Sequence, residues 1–193
     1  MLAFRNYLDC IKKEIETHIE QLETVVKEHG AVAVLPLSDK EESAKVWQIR
    51  GALVKAVEAV SEQEPLDIVV PIHQIDTFVN FVNKLEKESE MRMISFGHAG
   101  DGNVHLCVVR GNRNEKEWKQ DLHKNLDALY RKAYELGGVT SGEHGIGLSK
   151  QKYFFKETNP ANVQLMNQIK QAFDSRHILN DGISYVHGKS NLQ

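Results

Sequence analysis

Met91-Arg92-Met93-Ile94-Ser95-Phe96, then Gly97-His98-Ala99-Gly100-Asp101-Gly102-Asn103, then Val104-His105-Leu106-Cys107-Val108-Val109, reads as two strands joined by a glycine-rich turn. Asp101-Gly102 is a local turn signal, because glycine adopts the left-handed backbone angles that such turns demand. Side chains of a strand alternate between the two faces of its sheet. Val104, Leu106 and Val108 therefore share an aliphatic face suited to lie under helices, and His105, Cys107 and Val109 share the other. A hairpin of this kind carries both histidines near its tip, His98 in the turn and His105 on the returning strand.

Outward from the hairpin, the chain alternates between the two periodicities. Towards the N-terminus, Ile75, Phe78, Val82 and Leu85 recur at helical spacing, and before them Leu66–Val70, closed by Pro71, reads as a strand. Further back, Ser38 with Glu41 has the pattern of a capping box ahead of a helix striped by Val46, Ile49, Leu53, Val57 and Val60. Ala31–Leu37 reads as a buried strand. Ile11, Ile15, Ile19, Leu22 and Val26 mark a helix ending at Gly30, and Leu2–Tyr7 reads as a short strand ahead of it. Towards the C-terminus, Asn114 with Glu117 caps a helix whose Trp118, Leu122, Leu126, Leu129 and Leu136 face inward until Gly137-Gly138 end it. Asn159-Pro160 opens a last helix with Val163, Met166, Ile169 and Phe173 inward. This order predicts an α+β, ferredoxin-like sandwich: a mostly antiparallel sheet with helices on one face.

The bulk properties limit the function. With 193 residues and 41% hydrophobic content, the chain can bury one core without staples. Cys10 and Cys107 form no CxxC pair, so neither a disulfide framework nor a zinc ribbon is expected, and a cytoplasmic location follows. Its longest apolar run is far too short to span a bilayer, and there is no signal peptide pattern. A net charge of -3 with acids and bases interleaved provides no basic stripe, which argues against nucleic acid as a partner.

The chemistry-bearing residues are the two hairpin histidines and, some forty residues later, Gly142-Glu143-His144-Gly145-Ile146-Gly147. Imidazoles with a carboxylate are ligands for a borderline divalent metal, and three such ligands with an open position make a catalytic arrangement rather than a structural one. One histidine is then left to move a proton. The bland alternative is a tight hairpin with incidental histidines. The glycines after Thr140 do not make a phosphate loop, since Leu148-Ser149 follows Gly147, and no third glycine completes a dinucleotide fingerprint. Ser141 lacks a nucleophile-elbow sequence.

Taken together, the two histidine motifs with Trp47-Gln48-Ile49-Arg50, Asp67-Ile68-Val69-Val70-Pro71, Gly137-Gly138, Lys150 and Asp174 through Ile178-Leu179-Asn180 resemble the C-terminal domain of FAD-linked 2-hydroxy-acid oxidases and dehydrogenases. This is the glycolate oxidase, D-lactate dehydrogenase and D-2-hydroxyglutarate dehydrogenase group of the vanillyl-alcohol oxidase superfamily. The resemblance covers residues 1–185, leaving 186–193 as a polar tail. It implies that His98, His105 and Glu143 hold a divalent metal, commonly zinc with manganese or iron as alternatives, and that His144 is the catalytic base. It further implies that Arg50 and Cys107 contact the substrate, a small D-2-hydroxy acid of lactate or glycolate type, and that Asn180 lies on the cofactor side. Cys107 and Val54 stand where relatives acting on the longer dicarboxylic acid tend to have Asn and Thr. Asn180-Asp181-Gly182-Ile183 replaces the usual Asn-Pro-Gly-Lys ending.

The resemblance also implies that FAD sits mainly on an N-terminal domain absent from this chain, which would be the partner domain or subunit, so that the chain alone would be inactive. The sheet face carrying His105 would then be open enough for self-association into a homo-oligomer. Two other readings remain at this stage: a stand-alone metal-dependent hydrolase or oxygenase, and a non-catalytic sandwich module that binds a partner subunit.

Overall fold

The computed structural model describes residues 2–180, with side chains from Ile11 onward. It divides into two compact units, residues 1–53 and 54–193.

In the first unit, α1 runs from Leu2 to Glu28 and α2 from Lys40 to Gly51. The helix expected from Ile11 to Gly30 is present, but Leu2–Tyr7 is its first part rather than a strand. No glycine or proline interrupts Leu2–Glu28, so a helix nucleated anywhere in it propagates to the N-terminal end. Ala31–Leu37 forms no strand either: it is irregular, with Val32 and Leu35 almost fully exposed. Its apolar residues satisfy the composition of a strand, yet a strand exists only where another accepts its backbone groups, and no ladder among the described residues includes it. The cap of α2 is Asp39, whose carboxylate accepts the N–H groups of Glu41 and Glu42, and not Ser38. The expected stripe Val46–Val60 is broken at Gly51-Ala52, where α2 stops and α3 (Leu53–Glu58) begins, and of its members only Val57 is buried.

In the second unit, β1 (Gln63–Val69), α4 (Ile75–Ser89), β2 (Met93–His98), β3 (Asn103–Val109) and α5 (Glu115–Glu135) follow in order. The sheet is wholly antiparallel with β3 in the centre, in the order β1-β3-β2. An isolated antiparallel bridge from Val69 to Val139, just after α5, adds a vestigial fourth strand beside β1 and completes the ferredoxin-like order. Leu66, Ile68, Met93, Val104, Leu106 and Val108 form the core with Phe78 and Val82 of α4 and Trp118, Leu129 and Ala133 of α5. Asn114 and Glu117 form the expected capping box at the start of α5. After it come α6 (Gln151–Glu157), which the pattern did not reveal, and α7 (Pro160–Phe173). Ile169 and Phe173 of α7 are exposed, contrary to the inward stripe expected there. The polar tail lies outside the described residues.

The hairpin is as the alternation predicts, with two refinements. His98 is the last residue of β2 rather than a turn residue, and a short 3-10 turn, Ala99–Asp101, makes the tip. Gly102 closes it at φ +73, where a Cβ would collide with the Val70 carbonyl oxygen. That close approach lets the Val70 N–H donate to the Gly102 carbonyl at 2.9 Å, tying the tip to the end of β1.

Candidate functional site

The sheet face turned away from α4 and α5 carries the site, and it is not bare as expected from helices on one face only, since Val57 of α3 packs on part of it. Register places Asp67 of β1 directly opposite His105 of β3, and His105 opposite Phe96 of β2. His98 stands two positions further along β2, on the same face. Two residues further along β3, Cys107, with Val109 beyond it, is buried under Val57 with Ile94 and Phe96 beside them. Cys107 is a free thiol, pushed up from its ordinary pKa by burial and then by Glu58. Arg50 belongs to the first unit, where its guanidinium lies 5.3 Å from the centre of the Trp47 ring. Asn180 is exposed in a left-handed conformation. The segment before it is fixed by Asp174, which accepts the N–H groups of Ile178 and Leu179.

Glu143 and His144 reach the sheet on the loop after Val139, and a buried carboxylate holds that loop. One oxygen of Asp67, Oδ2, accepts the backbone N–H groups of Gly142, Glu143 and His144 at 3.0, 2.8 and 2.8 Å, and the Ser141 hydroxyl at 2.8 Å. Burial of Asp67 opposes its ionisation. The donors of His144, Ser141, Glu143 and Asn103 outweigh that and hold its pKa at about 2. Lys150, itself buried, donates to Ser141 Oγ at 2.9 Å and to the Gly145 carbonyl at 3.1 Å, with Nζ 4.0 Å from Asp67. Burial lowers the Lys150 pKa, against the pull of Asp67 and Glu64. Gly142 fits because it has no side chain: a Cβ there would come 2.7 Å from Val69 Cγ2 and 2.8 Å from Asn103 Nδ2.

Held this way, Glu143 Oε1 becomes the meeting point of three imidazoles. His105 Nε2 is 3.0 Å away, His98 Nε2 3.5 Å and His144 Nε2 3.9 Å. The His144 ring stacks on His105 with centroids 5.0 Å apart, and His98 meets His105 edge-on at 5.3 Å. Donor atoms of Asp67, His105, Glu143 and His144 all lie within 4.8 Å of one another. The His105 side chain is only 12% exposed, whereas those of Glu143 and His144 are about half exposed, so the cluster has a buried floor and an open mouth. Burial pushes the His105 imidazole below its ordinary pKa, opposed by Asp67, reinforced by His144, opposed by Glu143 and reinforced by His98.

All four motif residues singled out by sequence, His98, His105, Glu143 and His144, are therefore together. Asp67, Ser141 and Lys150, which organise them, were not singled out as site residues. The signal for Asp67 was present: a lone acid between Leu66 and Ile68 in a buried strand must have found donors.

The protein is thus an antiparallel α+β sandwich that presents a His/Glu cluster on the sheet face opposite α4 and α5. The family model for FAD linked oxidases, C-terminal domain, matches residues 8–183. The chain belongs to that family. It is 39% identical over 172 residues to a D-lactate dehydrogenase of Anaerostipes hadrus, covering 89% of this chain and 36% of that one. It is 31% identical over 169 residues to the glycolate oxidase subunit GlcD of Bacillus subtilis, covering 87% and 36%. A D-lactate dehydrogenase of Archaeoglobus fulgidus is 34% identical over 165 residues, covering 84% and 35%. The chain thus spans a little over a third of the length of these curated relatives. Among its described residues, no helix is long and apolar enough to cross a membrane.

Proposed function

We propose that this chain is the substrate- and metal-binding part of an FAD-dependent enzyme that oxidises a small D-2-hydroxy acid of lactate or glycolate type to the 2-oxo acid. The observation that carries the reading is the convergence of three imidazoles on one half-exposed carboxylate oxygen. His98, His105 and Glu143 are the proposed ligands. The donor set suits zinc, and the two imidazole–carboxylate separations, 3.5 and 3.0 Å, bracket the ligand-to-ligand distance of about 3.3 Å around a tetrahedral ion. Asp67 is set apart from this ligand role, since Oδ2 is committed to the loop and Oδ1 faces the opposite nitrogen of His105.

A divalent ion bound there would supply Lewis acidity, lowering the pKa of a coordinated hydroxyl. His144, half exposed and stacked on His105, would accept the hydroxyl proton at Nε2. The preference for a lactate-type substrate is supported by the two relatives that are D-lactate dehydrogenases; Cys107, buried under Val57, is set apart from substrate contact.

Flavin, when bound, would accept the hydride. No dinucleotide-type glycine loop is present among the described residues, so the main flavin site is assigned to another domain or subunit, with Asn180 on the cofactor side. Zinc titration of the chain by calorimetry tests the metal assignment. The expected result is one site, lost in a His98→Ala, His105→Ala double variant; equal binding by both proteins would refute it.

A further inference from the structure

Two buried polar atoms beneath the cluster face each other without a hydrogen-bond partner: Asp67 Oδ1 and His105 Nδ1, 3.7 Å apart. Native interiors rarely leave such atoms unsatisfied, and here an acceptor and a ring nitrogen are both orphaned at the same spot. The protonation of one imidazole explains the pair. A neutral imidazole has a single N–H, and His105 Nε2 lies in ion-pair range of Glu143 Oε1, 3.0 Å away. With the proton on Nε2, Nδ1 turns a lone pair towards a carboxylate oxygen, and neither can bond the other. A cation taken up at Nε2 reverses the arrangement. Nε2 then gives its lone pair to the ion, the proton moves to Nδ1, and Nδ1–H has one partner waiting, Asp67 Oδ1.

We propose that Asp67 is the positioning residue of the site, acting with both oxygens: Oδ1 fixes the His105 tautomer that can bind a cation, and Oδ2 holds the loop that delivers Glu143 and His144. This rests on the metal reading above and extends it from the ligands to the group that sets them. A carboxylate suits both tasks because it is acceptor-only on both sides. An amide does not. In Asp67→Asn, the amide oxygen would keep the loop N–H groups and the amide nitrogen would donate to His105 Nδ1. That locks the proton on Nε2 and blocks the ligand atom without removing any ligand.

The test uses the whole 193-residue chain, zinc as the probe, calorimetry for affinity and nitrogen-resolved NMR of the His105 ring for the tautomer. In the wild type, zinc is expected to move the His105 proton from Nε2 to Nδ1, where it becomes protected from exchange. Asp67→Asn is expected to keep a native far-UV spectrum while binding zinc roughly 10- to 100-fold more weakly. A zinc-loaded wild type with no proton on Nδ1 would overturn the proposal while leaving the metal site standing, as would a folded Asp67→Asn with unchanged affinity. Should Asp67→Asn not fold, the wild-type tautomer decides alone. Absence of zinc binding by the wild type refutes the metal reading and this proposal with it.

Discussion

Removing the Asp67 side chain altogether is the perturbation whose cost the structure fixes best. Asp67→Ala deletes the acceptor of three backbone N–H groups and one hydroxyl, and leaves the buried Lys150 ammonium without the carboxylate 4.0 Å away. Hydrogen bonds to a charged group contribute about 1.5–3 kcal/mol each. Their sum overstates the loss, because the 141–144 loop has exposed backbone neighbours and water can replace some of the donors' partner. Lys150, left with the pull of Glu64 alone, however, cannot be rescued by water so readily. The figure for breaking a buried charge pair, about 3–5 kcal/mol, is therefore the expected destabilisation.

Urea unfolding followed by far-UV circular dichroism measures it, as a fall in midpoint with little change in slope. The pH dependence supplies an independent check. Asp67 has a folded-state pKa of about 2 against an ordinary 3.8, so its contribution is complete above pH 4 and is lost as pH falls towards 2. The variant should lose that part of the wild-type acid sensitivity. A loss below about 1 kcal/mol, the size of one ordinary neutral hydrogen bond, would show that the loop does not depend on this carboxylate.

Three further outcomes are expected. In a complex with a flavin-bearing domain, His144→Asn should leave zinc affinity near wild type and slow flavin reduction by roughly a hundredfold or more, read by stopped-flow absorbance. Loss of zinc along with the imidazole would make His144 a ligand rather than the base. Gly102→Ala should lower stability by roughly 1–3 kcal/mol in a thermal melt, since it combines a left-handed backbone angle with a collision at the Val70 carbonyl. The neighbouring Gly100, with open space around its Cβ position, should tolerate alanine. Asn114→Ala removes the side chain that accepts the Lys116 and Glu117 N–H groups at the start of α5 and should cost about 1 kcal/mol by the same assay.

Local sequence determined those parts of the protein whose partners lie nearby along the chain. The hairpin and its two faces follow from strict alternation around a glycine turn, and the start of α5 follows from Asn114 and Glu117, three residues apart. The motif Gly142-Glu143-His144 drew attention as a candidate ligand and a candidate base for the same reason: it is contiguous. Tertiary structure decided what depends on distant partners. Ala31–Leu37 has the apolar residues of a buried strand, but nothing in seven residues can specify a neighbour to complete its hydrogen bonds. The stripe from Val46 to Val60 is likewise regular in sequence and is cut by a helix break at Gly51-Ala52 that periodicity alone passes over.

Asp67 is the clearest case. As a residue it is one acid in an apolar strand; its meaning comes from a loop 74 to 77 positions later whose N–H groups it gathers, and from strand register that sets it opposite His105. The side chains proposed as ligands were legible because chemistry is carried by residue type. The carboxylate that arranges them was legible only as a buried acid in need of donors; which donors it gathers was not, because arrangement is a property of pairs, and the chain must fold before those pairs exist.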